Sequence, residues 1–324
     1  MQAPLDLLAL LGDGAFHSGE ALGRRLGISR AGVWKRVRAL RAAGLVVHAV
    51  RGRGYRLDAP VEWLDAEAIE AAVPAAARRW LGGLEIHPVL DSTNAHLLER
   101  CGQGAANGTV CLAEMQRAGR GRRGRRWMSP PARNLYLSVL WRFETGLAAL
   151  ATLSVRLGLA LAACLESQGV PGVRVKWPND LVLGQRKAGG ILVELRGEPC
   201  GPNCVVAGVG LNLGMPAGVD IDQPWTDLAR AAVRPLSRNR LAGRVIGTLL
   251  ACFAALQEDD AHPWYRDWPR YDALAGRRVR VHWPGRSLEG TALGIDPTGA
   301  LRLRLVDGRV RRIASGEVSI RTTA

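Results

Sequence analysis

Hydrophobic positions in residues 5–57 repeat first at helical spacing and then at strand spacing. "LDLLALLGDG" predicts a short helix closed by glycines. "HSGEALGRRLG" predicts a second, with Ser18 as cap, Glu20 at the positive end and Gly27 just past the stop. "ISRAGVWKRVRALRAAG" predicts a third, capped by Ser29, with Val33, Val37 and Leu40 as its apolar stripe. Its opposite face carries Arg30, Lys35, Arg36, Arg38 and Arg41. "LVVHAV", "RGRG" and "YRL" then read as strand, glycine turn and strand, a wing with Arg51 and Arg53 at its tip. Two helices around a glycine-containing turn, the second basic, form the helix-turn-helix layout. The Pro-containing junction "DAPVEW" (58–63) places a boundary near residue 62.

Beyond it, strand and helix patterns mix. "TVCLAEMQ" (109–116) and "LYLSVLWRF" read as strands, and 174–195 alternates strand-like runs with polar residues. "VVAGVGLNL" (205–213) reads as a buried strand whose Gly208 and Gly210 suit close ligand approach, ending in Asn212. The most apolar stretch, 147–165, contains Arg156 and many alanines and predicts a core helix rather than a membrane span. From residue 273 the strands "RRVRVHW", "SLEGTALGI", "GALRLRL", "GRVRRIA" and "GEVSIRT" alternate with turns at Pro284-Gly285, Pro297-Thr298-Gly299 and Asp307-Gly308. They predict a small SH3-like barrel. The whole is an α+β multidomain chain with units 1–62, 63–272 and 273–324.

Composition narrows the partners. The 324 residues are 48% hydrophobic, enough for a sizeable core, and carry a formal net charge of +15. Residues 1–60 hold ten Lys/Arg against four Asp/Glu, a local excess of +6. Such a balance favours anionic partners, although arginine richness also reflects genomic composition. The six cysteines form no C-x-x-C pair and read as reduced, mostly buried thiols of a cytoplasmic protein, with no structural metal. No signal peptide is recognisable at the N-terminus.

"AGRGRRGRRW" (118–127) satisfies G-x-G-x-x-G through Gly119, Gly121 and Gly124, and follows a strand. A dinucleotide fold needs a helix at the third glycine. Pro130 and Pro131 forbid one, so Glu144, twenty residues after Gly124, matches the ribose-binding acid by accident. Glycines that let backbone approach an anion, among guanidinium groups that fork onto phosphate or carboxylate, fit a mobile clamp better. Lysine occurs only at Lys35, Lys176 and Lys187, so two of three fall in "KWPNDLVLGQRK" beside Asn179 and Asp180. "DSTN" (91–94) alone is a weak signal, an N-cap being its plainer reading.

Together, the winged helix, "DSTN", "QRAGRGRRGRRW", "KWPNDL", "RKAGGILVEL", "GVGLN" and the C-terminal strands resemble the biotin protein ligases of the bifunctional class that also repress the biotin operon. The resemblance spans nearly the whole chain. It implies a class II synthetase-like catalytic domain with a mixed sheet, which makes biotinyl-5′-adenylate from biotin and ATP with Mg2+. Biotin then passes to a lysine of the biotin carboxyl carrier protein of acetyl-CoA carboxylase. The implied biotin-binding positions are Ser92, Thr93, Asn94, Gln116, Arg120, Gly121, Arg122 and Lys187, with Gly190 and Gly208 as pocket walls. The adenylate side would use Arg120, Arg122, Arg123, Trp127, Lys176, Asn179, Lys187 and Asn212. Arg122 and Lys187 can neutralise the reacting anions. Asp180 is the candidate for orienting or deprotonating the acceptor amine, and Lys176 is either a phosphate contact or an ion-pair partner of Asp180. The departures from the pattern are Gly189, where alanine is common, and Met128, where an aromatic is common. DNA contacts are expected from Ser29, Arg30, Trp34, Lys35, Arg36, Arg38, Arg51 and Arg53, with the adenylate as corepressor of a ligand-promoted homodimer on operator DNA. Three alternatives stay open: a ligase whose winged domain no longer regulates, a lipoate-type ligase, and a ligand-sensing transcription factor without catalysis.

Overall fold

The computed structural model describes all residues except 1–3, 145, 147–149, 198–201, 217–218, 220, 259–262, 284, 315–318 and 323–324. Helices α1 (Leu5–Leu11), α2 (Gly19–Leu26) and α3 (Arg30–Ala42) precede an antiparallel hairpin of β1 (Val47–Val50) and β2 (Gly54–Leu57). Ser18 Oγ accepts from the Ala21 amide and Ser29 Oγ from the Gly32 amide, so both caps form. Gly27 ends α2 in the left-handed conformation, at φ 64°. Leu7, Leu8, Leu11, Leu22, Val33, Val37 and Leu40 make a core of their own. Each such side chain contributes roughly 1.5–3 kcal/mol when fully buried.

The second unit contains α4 (Ala66–Ala72), α5 (Ala75–Arg78), β3 (Gly83–Leu90), α6 (Thr93–Gly102), β4 (Thr109–Gln116) and β5 (Leu135–Phe143). It continues with α7 (Leu153–Ser167), β6 (Val173–Lys176), β7 (Asp180–Leu183), β8 (Arg186–Gly197), β9 (Asn203–Leu211), α8 (Arg238–Gln257) and α9 (Trp268–Tyr271). Seven strands form one sheet in the order β3-β4-β5-β9-β8-β7-β6. The β3–β4 pair is parallel and the other pairs antiparallel, so the sheet is mixed. Helices α7 and α8 cover one face within the main core, while α6 packs on Cys111, Leu140 and Val206 of the other. The expected apolar helix appears as Leu153–Ser167; residues 147–149 lie outside the described part. By length and composition α8 could cross a membrane, but 61% of its apolar window is buried inside the protein. At Gly243 a Cβ would stand 2.4 Å from the Ile69 carbonyl oxygen, so α8 meets α4 through bare backbone.

The last unit is a five-stranded antiparallel sheet in the order β13-β12-β11-β10-β14. Its strands are β10 (Arg278–Trp283), β11 (Arg286–Ile295), β12 (Leu301–Arg304), β13 (Val310–Ile313) and β14 (Ser319–Thr322). Pro284 of one expected turn and the start of "GEVSIRT" lie outside the described residues.

The junction after the winged helix is fastened rather than loose. Glu62 accepts from Ser237 Oγ and the Arg238 amide, both at 2.6 Å, and so caps α8. Arg238 in turn meets Glu114 at 2.9 Å, with both side chains only 6% and 5% exposed. Arg133 pairs with Asp58.

The reading of all cysteines as free thiols needs correction. Cys101 of α6 and Cys204 of β9 are joined as a disulfide, because α6 packs across β4, β5 and β9. A pairing across 103 residues has no local sequence signature. Cys111, Cys164 and Cys252 are free, and Cys200 is outside the described residues.

Candidate active site and nucleic-acid interface

A cavity of about 910 Å3 opens at the ends of β4 and β9 and the first half of β8. Its walls bring together Ser92, Thr93, Asn94, Gln116, Arg120, Gly121, Arg122, Arg123, Trp127, Lys176, Asn179, Asp180, Lys187, Gly190 and Gly208. These come from five separate stretches of chain. Asn212 does not line it. The Asn212 side chain is buried and donates to the Thr226 carbonyl at 3.0 Å, tying down the segment that follows β9.

One rim is the start of α6. Ser92 Oγ accepts from the Ala95 amide as an N-cap. Gln116 Oε1 accepts from the Thr93 amide at 3.0 Å, and Gln116 Nε2 donates to Ser129 Oγ at 3.2 Å. Asn94 Nδ2 donates to the Leu192 carbonyl and to Glu194 Oε2. Ser138 Oγ lies 2.7 Å from Thr93 Oγ1 and 2.6 Å from Asn94 Oδ1, and its single proton serves one of them at a time. At Gly208 a Cβ would stand 2.0 Å from Asn94 Oδ1. That glycine makes room for Asn94 as much as for a ligand.

The glycine-arginine loop folds over the other rim. Gly121 N donates to the Arg125 carbonyl and Trp127 N to the Gly119 carbonyl. Arg123 and Gly124 both take left-handed φ, 61° and 70°. Arg120 pairs with Glu194 at 3.2 Å, and Arg122 donates to Asn179 Oδ1 at 3.1 Å. Burial pushes the Arg122 guanidinium below its ordinary pKa, while Asp180 opposes the shift. The Trp127 indole lies against two glycines: a Cβ at Gly210 would be 2.5 Å from its ring, and one at Gly190 3.5 Å. Lys187 Nζ stands 5.4 Å from the ring centroid, within cation–π range. Trp127 Nε1 is buried without a hydrogen-bond partner among the described residues.

Asp180 pairs with Lys187 at 2.6 Å, and Lys176 stands opposite Asp180 in the β6–β7 register. The antiparallel β7–β8 pair explains this, since it folds Lys187 back beside Asp180. At Gly189 a Cβ would lie 2.6 Å from Leu211, so alanine would displace a core side chain here. Sequence reasoning missed Ser138 and Glu194, which anchor the polar rim from neighbouring strands, and Asp222, which lines the cavity from a loop. Only the acid in "ILVEL", Glu194, offered a signal. Ile320 brings the C-terminal sheet to the cavity wall.

In the winged helix, Arg30, Trp34, Lys35, Arg38, Arg51 and Arg53 are exposed. Trp34 is 52% exposed, with Arg38 stacked over it at 4.8 Å. Two expected contacts have other partners: Ser29 Oγ is used as the α3 cap, and Arg36 pairs with Asp6 of α1. Arg53 lies over the Phe16 ring at 4.1 Å.

Comparison with known proteins agrees along the whole chain. Residues 5–56 match an HTH domain, 86–212 the Biotin/lipoate A/B protein ligase family, and 275–321 the Biotin protein ligase C terminal domain. The Bifunctional ligase/repressor BirA of Salmonella typhimurium is 42% identical over 321 residues, 98% of each chain. That of Escherichia coli is 41% identical over 98% of this chain and 97% of its own. Among solved structures, the biotin protein ligase from Aquifex aeolicus in complex with biotin and ATP is 25% identical, with a TM-score of 0.63. It covers 74% of this chain and 99% of its own. By identity over nearly its full length, the chain belongs to the family of bifunctional biotin ligase/repressors.

Proposed function

We propose that the cavity joins biotin to ATP as biotinyl-5′-adenylate and then passes biotin to a lysine of the biotin carboxyl carrier protein of acetyl-CoA carboxylase. The observation that carries this is the meeting of the α6 start, the arginine loop and the Lys187 strand in one cavity. A biotin carboxylate oxygen attacks the α-phosphorus of ATP; the bond to the bridging oxygen breaks and pyrophosphate leaves. Both partners are anions, and Arg122 and Lys187 offset their repulsion and the charge of the transition state. Hydroxyl and amide groups of Ser92, Thr93, Asn94 and Gln116, with the Gly121 backbone, suit the polar ring of biotin, and Arg120, Arg123, Trp127, Lys176 and Asn179 complete the nucleotide side. The oxygen donors Asp180 and Asp222 on the wall fit Mg2+, which would neutralise phosphate charge when bound with the nucleotide.

The product is a mixed anhydride, so a loop that excludes water protects it. In the second step the acceptor amine, whose ordinary pKa is about 10.4, must lose a proton before it attacks the acyl carbon and AMP leaves. Asp180, beside Lys187, is the group we assign to orient that amine. We assign residues 1–62, 63–272 and 273–324 to separate units, the second class II synthetase-like and the third an SH3-like barrel that assists ATP and carrier-protein binding.

The same adenylate, in the cytoplasm, acts as corepressor. It orders the loops, two central domains pair edge to edge, and two winged helices meet one operator of the biotin genes. Biotin-dependent pyrophosphate release tests the enzyme reading. It is expected with biotin and not with lipoate, and to fall sharply in Arg122→Ala. A gel shift at stated salt, with and without biotin and ATP, tests repression. Operator affinity indifferent to both ligands would overturn it.

A further inference from the structure

We propose that Glu85, His87, His96 and Cys111 form a binding site for a divalent cation of the zinc type, apart from the cavity and with a structural role. The site lies where α6 crosses β3 and β4. Glu85 pairs in register with Cys111 across the parallel β3–β4 ladder, and His87 follows Glu85 on the same strand face. His96 reaches down from the second turn of α6. Donor atoms of His87, His96 and Cys111 all lie within 4.8 Å of one another. Glu85 Oε2 is 2.6 Å from His96 Nε2 and 3.6 Å from His87 Nε2.

The donor set is two imidazoles, one thiolate and one carboxylate. That mixture suits zinc, and its two negative charges balance a divalent ion. Hard cations such as Mg2+ and Ca2+ prefer an all-oxygen shell. Around a tetrahedral ion with bonds of about 2.0–2.3 Å, donor atoms sit roughly 3.3–3.8 Å apart, so modest side-chain rotations close the site. His87 Nε2 is buried and has no hydrogen-bond partner among the described residues. A buried, unsatisfied imidazole nitrogen calls for a ligand. The two imidazoles already sit edge to face, 4.7 Å between centroids. Arg100 Nε donates to Glu85 Oε1 at 3.1 Å, which fixes the carboxylate, and binding an ion would exchange the present Oε2 contact with His96 Nε2 for a bond to the metal. Cys111 would bind as thiolate, its proton passing to solvent.

An ion here would tie β3, β4 and α6 together one turn below the Thr93 and Asn94 end of that helix. None of its four ligands lines the cavity. The site therefore stands or falls independently of the ligase reading.

Co2+ titration of the EDTA-treated, reduced full chain tests it. The expected result is a thiolate-to-cobalt charge-transfer band with intense tetrahedral ligand-field bands, saturating at one ion per chain and abolished by Zn2+. Cys111→Ser should lose the charge-transfer band, whereas Cys101→Ser/Cys204→Ser should keep it. An absent band, or one that survives Cys111→Ser, overturns the proposal. Should Cys111→Ser not fold, Zn2+ calorimetry on His87→Gln decides. Affinity at least about a hundredfold weaker than wild type supports the site, since even outer-shell substitutions cost 10–100-fold. Equal affinity overturns it.

Discussion

Gly210→Ala isolates the contact that holds the arginine loop closed. A Cβ at this position would lie 2.5 Å from Trp127 Cε2 and 2.7 Å from Cζ2 and Nε1. Carbon atoms rest about 3.5–4.0 Å apart, so the indole must move by roughly 1 Å. Gly190 and the Lys187 stem block movement deeper, which leaves tilting outward. Removing a fully buried Trp side chain costs about 3–5 kcal/mol. Partial displacement of a half-buried indole should forfeit about a third of that, near 1.4 kcal/mol, or tenfold in the open population. The loop supplies its own assay, because Arg120, Arg122, Arg123, Arg125 and Arg126 are tryptic sites. When opening and closing are fast, cleavage tracks the open population. Gly210→Ala should therefore speed cleavage within 120–126 about tenfold relative to cleavage at Arg51 and Arg53, with the urea midpoint little changed. Equal loop cleavage in variant and wild type would refute the role given to Trp127 packing.

Lys187→Met should cut biotin-dependent pyrophosphate release by about 10²–10³, the usual cost of losing one transition-state charge partner. A loss confined to KM would instead mark Lys187 as a binding group only. Glu194→Gln removes the charge opposite Arg120. The pair is partly exposed and screened, worth about 0.5–1 kcal/mol, so loop cleavage should rise only some two- to fivefold. Arg238→Met leaves Glu114 buried without its cation and should lower unfolding free energy by about 3–5 kcal/mol in urea titration. In operator binding, Arg51→Ala and Arg53→Ala should each lower the salt slope by about 1, whereas Arg36→Ala, already paired with Asp6, should change it little.

Much of the fold was legible because it is written locally. The strands at 109–116 and 135–143 run through the residues expected of them, and both caps in the winged helix form. The five stretches read as one site do converge, because their motifs sit at strand ends and loops that the mixed sheet gathers. What stayed hidden depends on pairing across the sheet. Ser138 faces Gly208 in the β5–β9 register and so comes under Asn94, a fact absent from any window around residue 138. Asn212 closes "GVGLN" and reads as a ligand contact, yet its amide is spent on the Thr226 carbonyl. Arg36 points the same way. A basic helix face looks uniformly available in sequence, but α1 crosses it and Asp6 takes one arginine.

The segment after β9 gives the ligand cavity a physical route to the winged helix. Its start is pinned by Asn134, whose Oδ1 accepts from the Leu213 and Gly214 amides. Further on, Pro216 and Val219 stand within van der Waals reach of a Cβ at Gly44, just past the end of α3. Its far end, Ile221 to Pro224, lines the cavity. One short stretch of chain therefore borders the ligand site and the base of the helix read as contacting DNA. A ligand can bias such an element only through contacts that differ between its two positions. The groups able to make that difference are at the cavity end, where Asp222 and Gln223 line the wall. The middle of the stretch meets Gly44, which has no side chain of its own to cushion a shift. Asn134 also accepts from Arg238, which Glu62 and Glu114 hold in turn, so the start of the stretch is fixed to the buried Arg238–Glu114 pair.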